Sequence, residues 1–293
     1  MASLKDIRAR IDSTKNTQQI TRAMKMVSAA ALRRAQQNIV NLRPYANTIL
    51  SVIADIAATQ RVAHPLLTRS ENPRRVLLVV LTSDRGLAGA FNTNVNKYAD
   101  RYLKENRAKY EKIDMLIIGR KANDYFRRRE MVPIDTMTNL AKTVSYTLAA
   151  NVAAKLMEWY KTGEYDEIRI VYNEFKSAIA QQVVAETLLP IDMSASGTLN
   201  KGTGDFPPDM LFEPAPEEII EQLVTKHFNV QVYRCMCESV AAEHGARMSA
   251  MENATKNAGE MINTYTLTYN KLRQAGITTE LIEITSGAEA LKG

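Results

Sequence analysis

The sequence predicts a mixed fold, α+β with an α/β component: a long antiparallel two-helix coiled coil built from both chain termini, with an α/β domain inserted between its strands of helix. Three observations predict it. Helix breakers are scarce, with 12 Gly and 9 Pro in 293 residues, and few of them fall near either end of the chain. Apolar residues in both end segments recur at the 3-4 spacing of a heptad. Between them, short β-rich runs alternate with helical ones. The 6% aromatic content argues against an all-β protein, and 45% hydrophobic residues argue against extended disorder.

The first helix is expected from Ser3 to about Thr59, with Pro44 as its one proline. Leu4, Ile7, Ile11, then Leu32, Ala35, Ile39, Leu42, Ala46, Ile49, Ile53 and Ile56 hold one heptad seam. Between these blocks the same register meets Thr14, Gln18, Thr21, Lys25 and Ser28. The apolar stripe there is Ile20, Met24, Val27 and Ala31, offset by one residue. The pattern therefore predicts a seam that slips mid-helix, as at a stutter. Such a rod would reach about 80 Å, too long to be covered by a small globular domain. It needs a second long helix.

That partner begins at Pro214-Ala215-Pro216-Glu217-Glu218, with proline early and acids in the first turn, and runs to about Thr285. Ile219, Leu223, Val230, Tyr233, Cys237, Val240, Met251, Ala254, Ala258, Met261, Tyr265 and Leu272 mark its seam. His244 and Arg247 take seam positions midway. At about 105 Å it outruns the first helix, so its end is expected to project alone. The expected division is a discontinuous shaft, 1–60 plus 210–293, an inserted α/β domain at 74–192, and a flexible loop at 193–209 containing SASGTLNKGTGDFPPD.

Within the middle, Arg75–Leu81 (RVLLVVL) reads as a buried strand, followed by a glycine-bearing loop, Thr82–Ala90. A helix at Asn92–Asn106 follows, then a strand Ile113–Ile118 and a basic helix Lys121–Arg129. A helix at Thr143–Tyr160 leads to strands Glu167–Tyr172 and Val183–Ile191. The alternation predicts a mainly parallel sheet. Strand, glycine loop and helix make the entry Rossmann-like. Gly86 and Gly89 do not form GxGxxG, however, so nucleotide binding is not expected.

Several classes of function are excluded by pattern. No apolar run approaches the roughly 18 residues of a membrane span. The N-terminus has no apolar segment of a secretory signal, and Asp6 and Asp12 are foreign to a transit peptide. Cys235 and Cys237 are two apart and face different sides of a helix, which favours two buried thiols over a disulfide or metal site. His64, His227 and His244 form no ligand spacing, and no GxxxxGK[ST] occurs. No catalytic residue, metal or cofactor is expected. The net charge of +6 is uneven. Nine Lys/Arg against three Asp/Glu fall in the first 60 residues, and the late helix is mildly acidic, which points to an anionic partner. Arg127-Arg128-Arg129 reads as a solvated helix end. The absence of aromatics from residues 1–44 disfavours single-strand binding. From the residues alone, a basic coiled-coil adaptor for nucleic acid or an anionic membrane surface, and an enzyme using the middle as a nucleotide domain, remain open beside a structural shaft.

A resemblance narrows these. IDSTKNTQQITRAMKMVSAAALRRAQ (Ile11–Gln36) resembles the N-terminal signature of the gamma subunits of bacterial F-type ATP synthases. SDRGLAGAFN (Ser83–Asn92) resembles that family's loop after its first strand. LFEP (Leu211–Pro214), ARMSAMENATKNAGEMI (Ala246–Ile262) and NKLRQAGITTELIEITSGAEAL (Asn270–Leu291) resemble its C-terminal part. Ala31 stands where the family commonly has Lys, and Ala88 where many members have Cys. The cysteine-bearing insertion of chloroplast members is not seen.

The resemblance implies a central rotor stalk, without catalytic residues of its own, turning within a ring of alpha and beta subunits and contacting the epsilon subunit and the c-ring. It implies that Arg8, Arg33, Arg34 and Arg85 present charge to acidic catch regions of the beta subunits. Met24 and Lys25 would lie at a coupling-sensitive contact, and Arg247, Gln274 and Thr278 at an upper contact. Glu213 would face the polar loops of the c-ring. It implies a peripheral place at the cytoplasmic face of a bacterial plasma membrane, proton as the default coupling ion, and no nucleic-acid partner.

Overall fold

A computed structural model describes residues 3–60, 64–68, 72–139, 144–178, 180–191 and 213–290. The loop expected at 193–209 lies outside the described residues. The chain divides into two compact units, Met1–Ser28 with Met248–Gly293, and Ala29–Arg247. Helix α1 (Leu4–Gln60) and helix α5 (Pro216–Ala290) contribute to both.

In the first unit α1 and α5 run antiparallel. Moving up α1, Gln18 Nε2 donates to the Thr255 carbonyl (3.5 Å), Thr21 and Thr255 join hydroxyls (2.8 Å), and Lys25 pairs with Glu252 (2.6 Å). The α5 partners descend as the α1 numbers rise. At the start of α1, Ser3 and Asp6 cap each other reciprocally: Ser3 Oγ accepts the Asp6 amide and Asp6 Oδ2 accepts the Ser3 amide. Those bonds from Ser3 hold the Asp6 carboxyl below its ordinary range.

The predicted slip of the seam does not occur. Ile7, Thr21 and Ser28 are buried in the same register, whereas Ile20 is 60% and Val27 69% exposed. The 3-4 spacing therefore runs unbroken through Thr14, Gln18, Thr21, Lys25 and Ser28. Small polar groups can hold a seam when each finds a partner. The Thr21 hydroxyl donates to the Gln18 carbonyl and meets Thr255. Opposite, Gly259 leaves space that a Cβ would take to within 3.1 Å of Gln18 Nε2. Past the reach of α1 the end of α5 stands alone: every residue from Ile277 to Ala288 is exposed.

The second unit holds a five-stranded sheet. Strands β1 (Arg75–Leu81), β2 (Lys112–Ile118), β3 (Asp135–Met137), β4 (Glu167–Phe175) and β5 (Gln181–Leu189) lie in the order β3-β2-β1-β4-β5. All pairings are parallel except β4 with β5. Val76 of β1 faces Ile113 on one side and Glu167 on the other. Alternate residues of β1 serve opposite faces. Leu78 and Val80 pack under α2 (Phe91–Asn106) and α3 (Arg120–Arg127) through Val95, Ala99, Ala122 and Phe126. Leu77, Val79 and Leu81 face α4 (Tyr146–Lys161) together with α1 and α5. There Ile53 and Ile56 of α1 meet Ile220, Val224 and Phe228 of α5 in one core, all at most 2% exposed. In this stretch α5 buries more than its predicted seam, because sheet and helices cover it from several sides.

Strand β3, with three residues and no apolar run, is not among the elements the sequence predicts, and β5 closes the sheet as an antiparallel edge.

Candidate functional site

Two surfaces carry the residues singled out from the sequence, one in each unit. In the first unit, Arg8 is exposed and Met24 and Lys25 are half-buried. Lys25 and its partner Glu252 line an open groove of about 580 Å³ between the two helices, with Gln18, Arg22, Thr255 and Lys256. Three cations against one carboxylate give it a basic character suited to an acidic segment. Arg22, Glu252 and Lys256 are not among the residues the sequence singles out; only Arg22 lies beside the run of polar heptad positions that could have signalled it. Gln274 and Thr278 are exposed one turn apart on α5, and the Thr278 hydroxyl donates to the Gln274 carbonyl (3.0 Å). Apolar side chains lie uncovered nearby in sequence: Ile20, Met26 and Val27 on α1, and Ile277, Leu281 and Ile284 at i, i+4, i+7 spacing on the lone end of α5.

In the second unit, Arg33 and Arg34 are exposed on α1 and Glu213 is exposed just before α5. Arg85 is presented by a fastened loop between β1 and α2. The Arg85 carbonyl accepts from Ser83 Oγ (2.6 Å) and Asn92 Nδ2 (3.4 Å), and Asn92 Oδ1 accepts the Ser83 amide (3.0 Å). Asp84 Oδ1 accepts the Arg120 amide at the start of α3 (3.0 Å). With its backbone so held, the loop points Arg85 and the 64% exposed Leu87 outward.

Arg247, which the resemblance groups with Gln274 and Thr278 at an upper contact, is 7% exposed and belongs to the other unit. Its guanidinium pairs with Glu243 (2.5 Å) and donates twice to the Gly86 carbonyl (3.1 and 3.4 Å). The reason is positional: a seam residue faces inward, and here it meets the β1–α2 loop. Burial pushes the Glu243 carboxyl up, against the pull of Arg247. Burial, with the Arg247 and Arg85 cations, depresses His244 to about 4.

The same region bears on the Rossmann-like entry. The order of strands reverses between β1 and β4, and ligands of open α/β folds settle at the carboxyl ends of strands at such a point. Here α5 fills it. Ala242 packs on Ala88 and Phe91, with Phe175 and Ala246 around them. Gly245 runs so close that a Cβ would lie 3.1 Å from the Ala178 carbonyl oxygen. Asn173 Nδ2 donates to the Phe91 carbonyl (3.1 Å) beside it. Cys235 and Cys237 are free and buried, and burial raises the thiols to about 12 and about 11. Among the described residues, no group of His, Cys, Asp and Glu has the arrangement of a metal site, and no helix is long and apolar enough to cross a membrane.

The family model described as ATP synthase matches residues 3–291. A protein of Bdellovibrio bacteriovorus named ATP synthase gamma chain is 64% identical, with the whole of both chains covered. The central stalk and c-ring structure of the Tetrahymena thermophila mitochondrial ATP synthase contains a chain 27% identical, with a TM-score of 0.59, covering 80% of this chain and 99% of that one. A chain from the Euglena gracilis mitochondrial ATP synthase shares the fold at 24% identity and a TM-score of 0.67, covering 98% of this chain and 94% of that one. This chain belongs to the ATP synthase gamma chain family.

Proposed function

We propose that the chain is the central rotor stalk of a proton-transporting F-type ATP synthase, coupling rotation of the membrane c-ring to conformational change at the catalytic beta subunits. In this reading it is a non-catalytic subunit, assembled with alpha, beta and epsilon subunits and the c-ring. It sits peripherally at the cytoplasmic face of a bacterial inner membrane as part of a membrane-associated complex. The shaft is 1–60 plus 210–293, and the inserted α/β domain is 74–192.

The observation that carries this reading is the inequality of the faces of the first unit. One side is the basic groove of Arg22, Lys25 and Lys256. Ile20 and Val27 leave a bare apolar stripe, and the lone end of α5 carries another. A shaft can set surrounding subunits to different states only through contacts that differ in free energy between those states. A rod with unlike faces supplies that difference. Arg8, Met24, Lys25, Arg33, Arg34, Arg85, Gln274 and Thr278 support it as contacts to beta subunits, and Glu213 as a contact to the c-ring. Arg247 acts from within, through the loop that carries Arg85. Single exposed ion pairs are worth only about 0–1 kcal/mol, so the collective charge matters more than any one arginine.

The test is reconstitution. Purified alpha and beta subunits mixed with this chain are expected to form a stable complex whose ATPase activity depends on it. Failure to assemble with the cognate ring would refute the proposal.

A further inference from the structure

Where α5 closes over the carboxyl ends of β1 and β2 it leaves a small cavity of about 20 Å³. Leu81, Ile118 and Met236 form its apolar wall, while Asp84, Ser239 and Glu243 supply polar groups. Asp84 commits Oδ1 to the Arg120 amide, and its Oδ2 is buried without a partner among the described residues. Ser239 is 4% and Glu243 6% exposed. Glu243 commits Oε1 to Arg247 (2.5 Å) and keeps its second oxygen. The cavity therefore joins an orphaned acceptor on the β1–α2 loop to a hydroxyl and a carboxyl on α5.

An internal water needs roughly 10–15 Å³ and two to four polar partners; the volume is sufficient, and three polar side chains belong to the lining. A cation is not called for, since Arg247 and Arg85 already act on Glu243. We propose that this cavity is a single-water site whose water donates to Asp84 Oδ2 and Glu243 and accepts from the Ser239 hydroxyl. The water then forms a second fastening between α5 and the β1–α2 loop, beside the direct bond from Arg247 to the Gly86 carbonyl. Asp84, Ser239 and Glu243 are positioning residues for the loop that presents Arg85.

The experiment uses the full chain. A structure at a resolution that shows ordered solvent is expected to contain one peak within hydrogen-bond distance of both Asp84 Oδ2 and Ser239 Oγ. An empty or collapsed cavity overturns the proposal, and so does a peak that rubidium replaces in a salt soak, which would mark a cation. In solution, Ser239→Ala is expected to speed hydrogen exchange of the Arg120 amide about tenfold and to leave the β1 amides unchanged. Asp84→Asn keeps an oxygen for the Arg120 amide and loses the acceptor toward the water. If one water bridges both residues, the double variant is no worse than the more damaging single one. Fully additive effects overturn the bridge.

Discussion

Val27→Ala tests the register of the shaft. Val27 is 69% exposed, and its neighbour Ser28 is 2% exposed. Were Val27 in the seam, removing its two carbons would cost about 1.6 kcal/mol at roughly 0.8 per buried CH₂, and more once the cavity left behind is counted. With about a third of the side chain in contact, the loss falls to about 0.5 kcal/mol. Alanine then returns about as much through its higher helix propensity. The expected change is therefore close to zero. Ser28→Leu places a large group in the occupied seam and is expected to cost about 1–3 kcal/mol. Urea unfolding of the full chain, followed by far-UV circular dichroism with the m-value checked for constancy, measures both. A loss above about 1.5 kcal/mol for Val27→Ala, with Ser28→Leu neutral, would refute the unbroken seam.

Gly119 sits at φ 105°, where a Cβ would fall 2.1 Å from the Thr82 carbonyl oxygen; Gly119→Ala is expected to cost more than about 3 kcal/mol, read as loss of soluble, cooperatively unfolding protein. Truncation after Gly276 removes the exposed stretch Ile277–Ala288 of the lone helix end, so the thermal midpoint should stay within a few degrees while ATPase coupling in the reconstituted complex weakens. Burial depresses His227 and His244 to about 4. Unfolded histidines take up protons near pH 6.5, so stability should fall between about pH 6.5 and 4. Replacing both by Gln should flatten that slope in urea titrations. Burial would raise Asp166, but Arg75 and the amides of Arg74 and Arg75 outweigh it and hold the carboxyl low. Its contribution is present above about pH 4 and is lost as the pH falls further, so Asp166→Asn should reduce the steepness of acid unfolding below that point.

The long elements were legible because they repeat a simple signal many times. Arg75–Leu81 announces a strand buried on both faces, and the terminal helices run for tens of residues with few breakers. Where one contact decides, the pattern misled. Ile20 and Val27 match the seam by apolarity alone, yet Thr21 and Ser28 fit because they are small and because Thr21 finds a partner across the helix pair. The seam position of Arg247 shows that it faces inward, but nothing in a linear string shows that the Gly86 carbonyl lies opposite. Strand β3 owes its place to pairing with Leu116–Ile118, a long-range contact absent from its own three residues. The groove cations Arg22 and Lys256 are far apart in sequence and become neighbours only once α1 and α5 pair.

The joint cover of the sheet by α1, α4 and α5 has a consequence for synthesis. When the ribosome has finished β5, one face of the sheet still lacks Ile220, Val224, Phe228 and Val232. Those residues belong to the last helix to be made. The central domain cannot reach its final form as a separate early product. It must wait, with apolar surface bare, for the C-terminus to arrive. A nascent chain stalled before Pro216 should therefore engage holding chaperones and resist release, although most of its strands are already written.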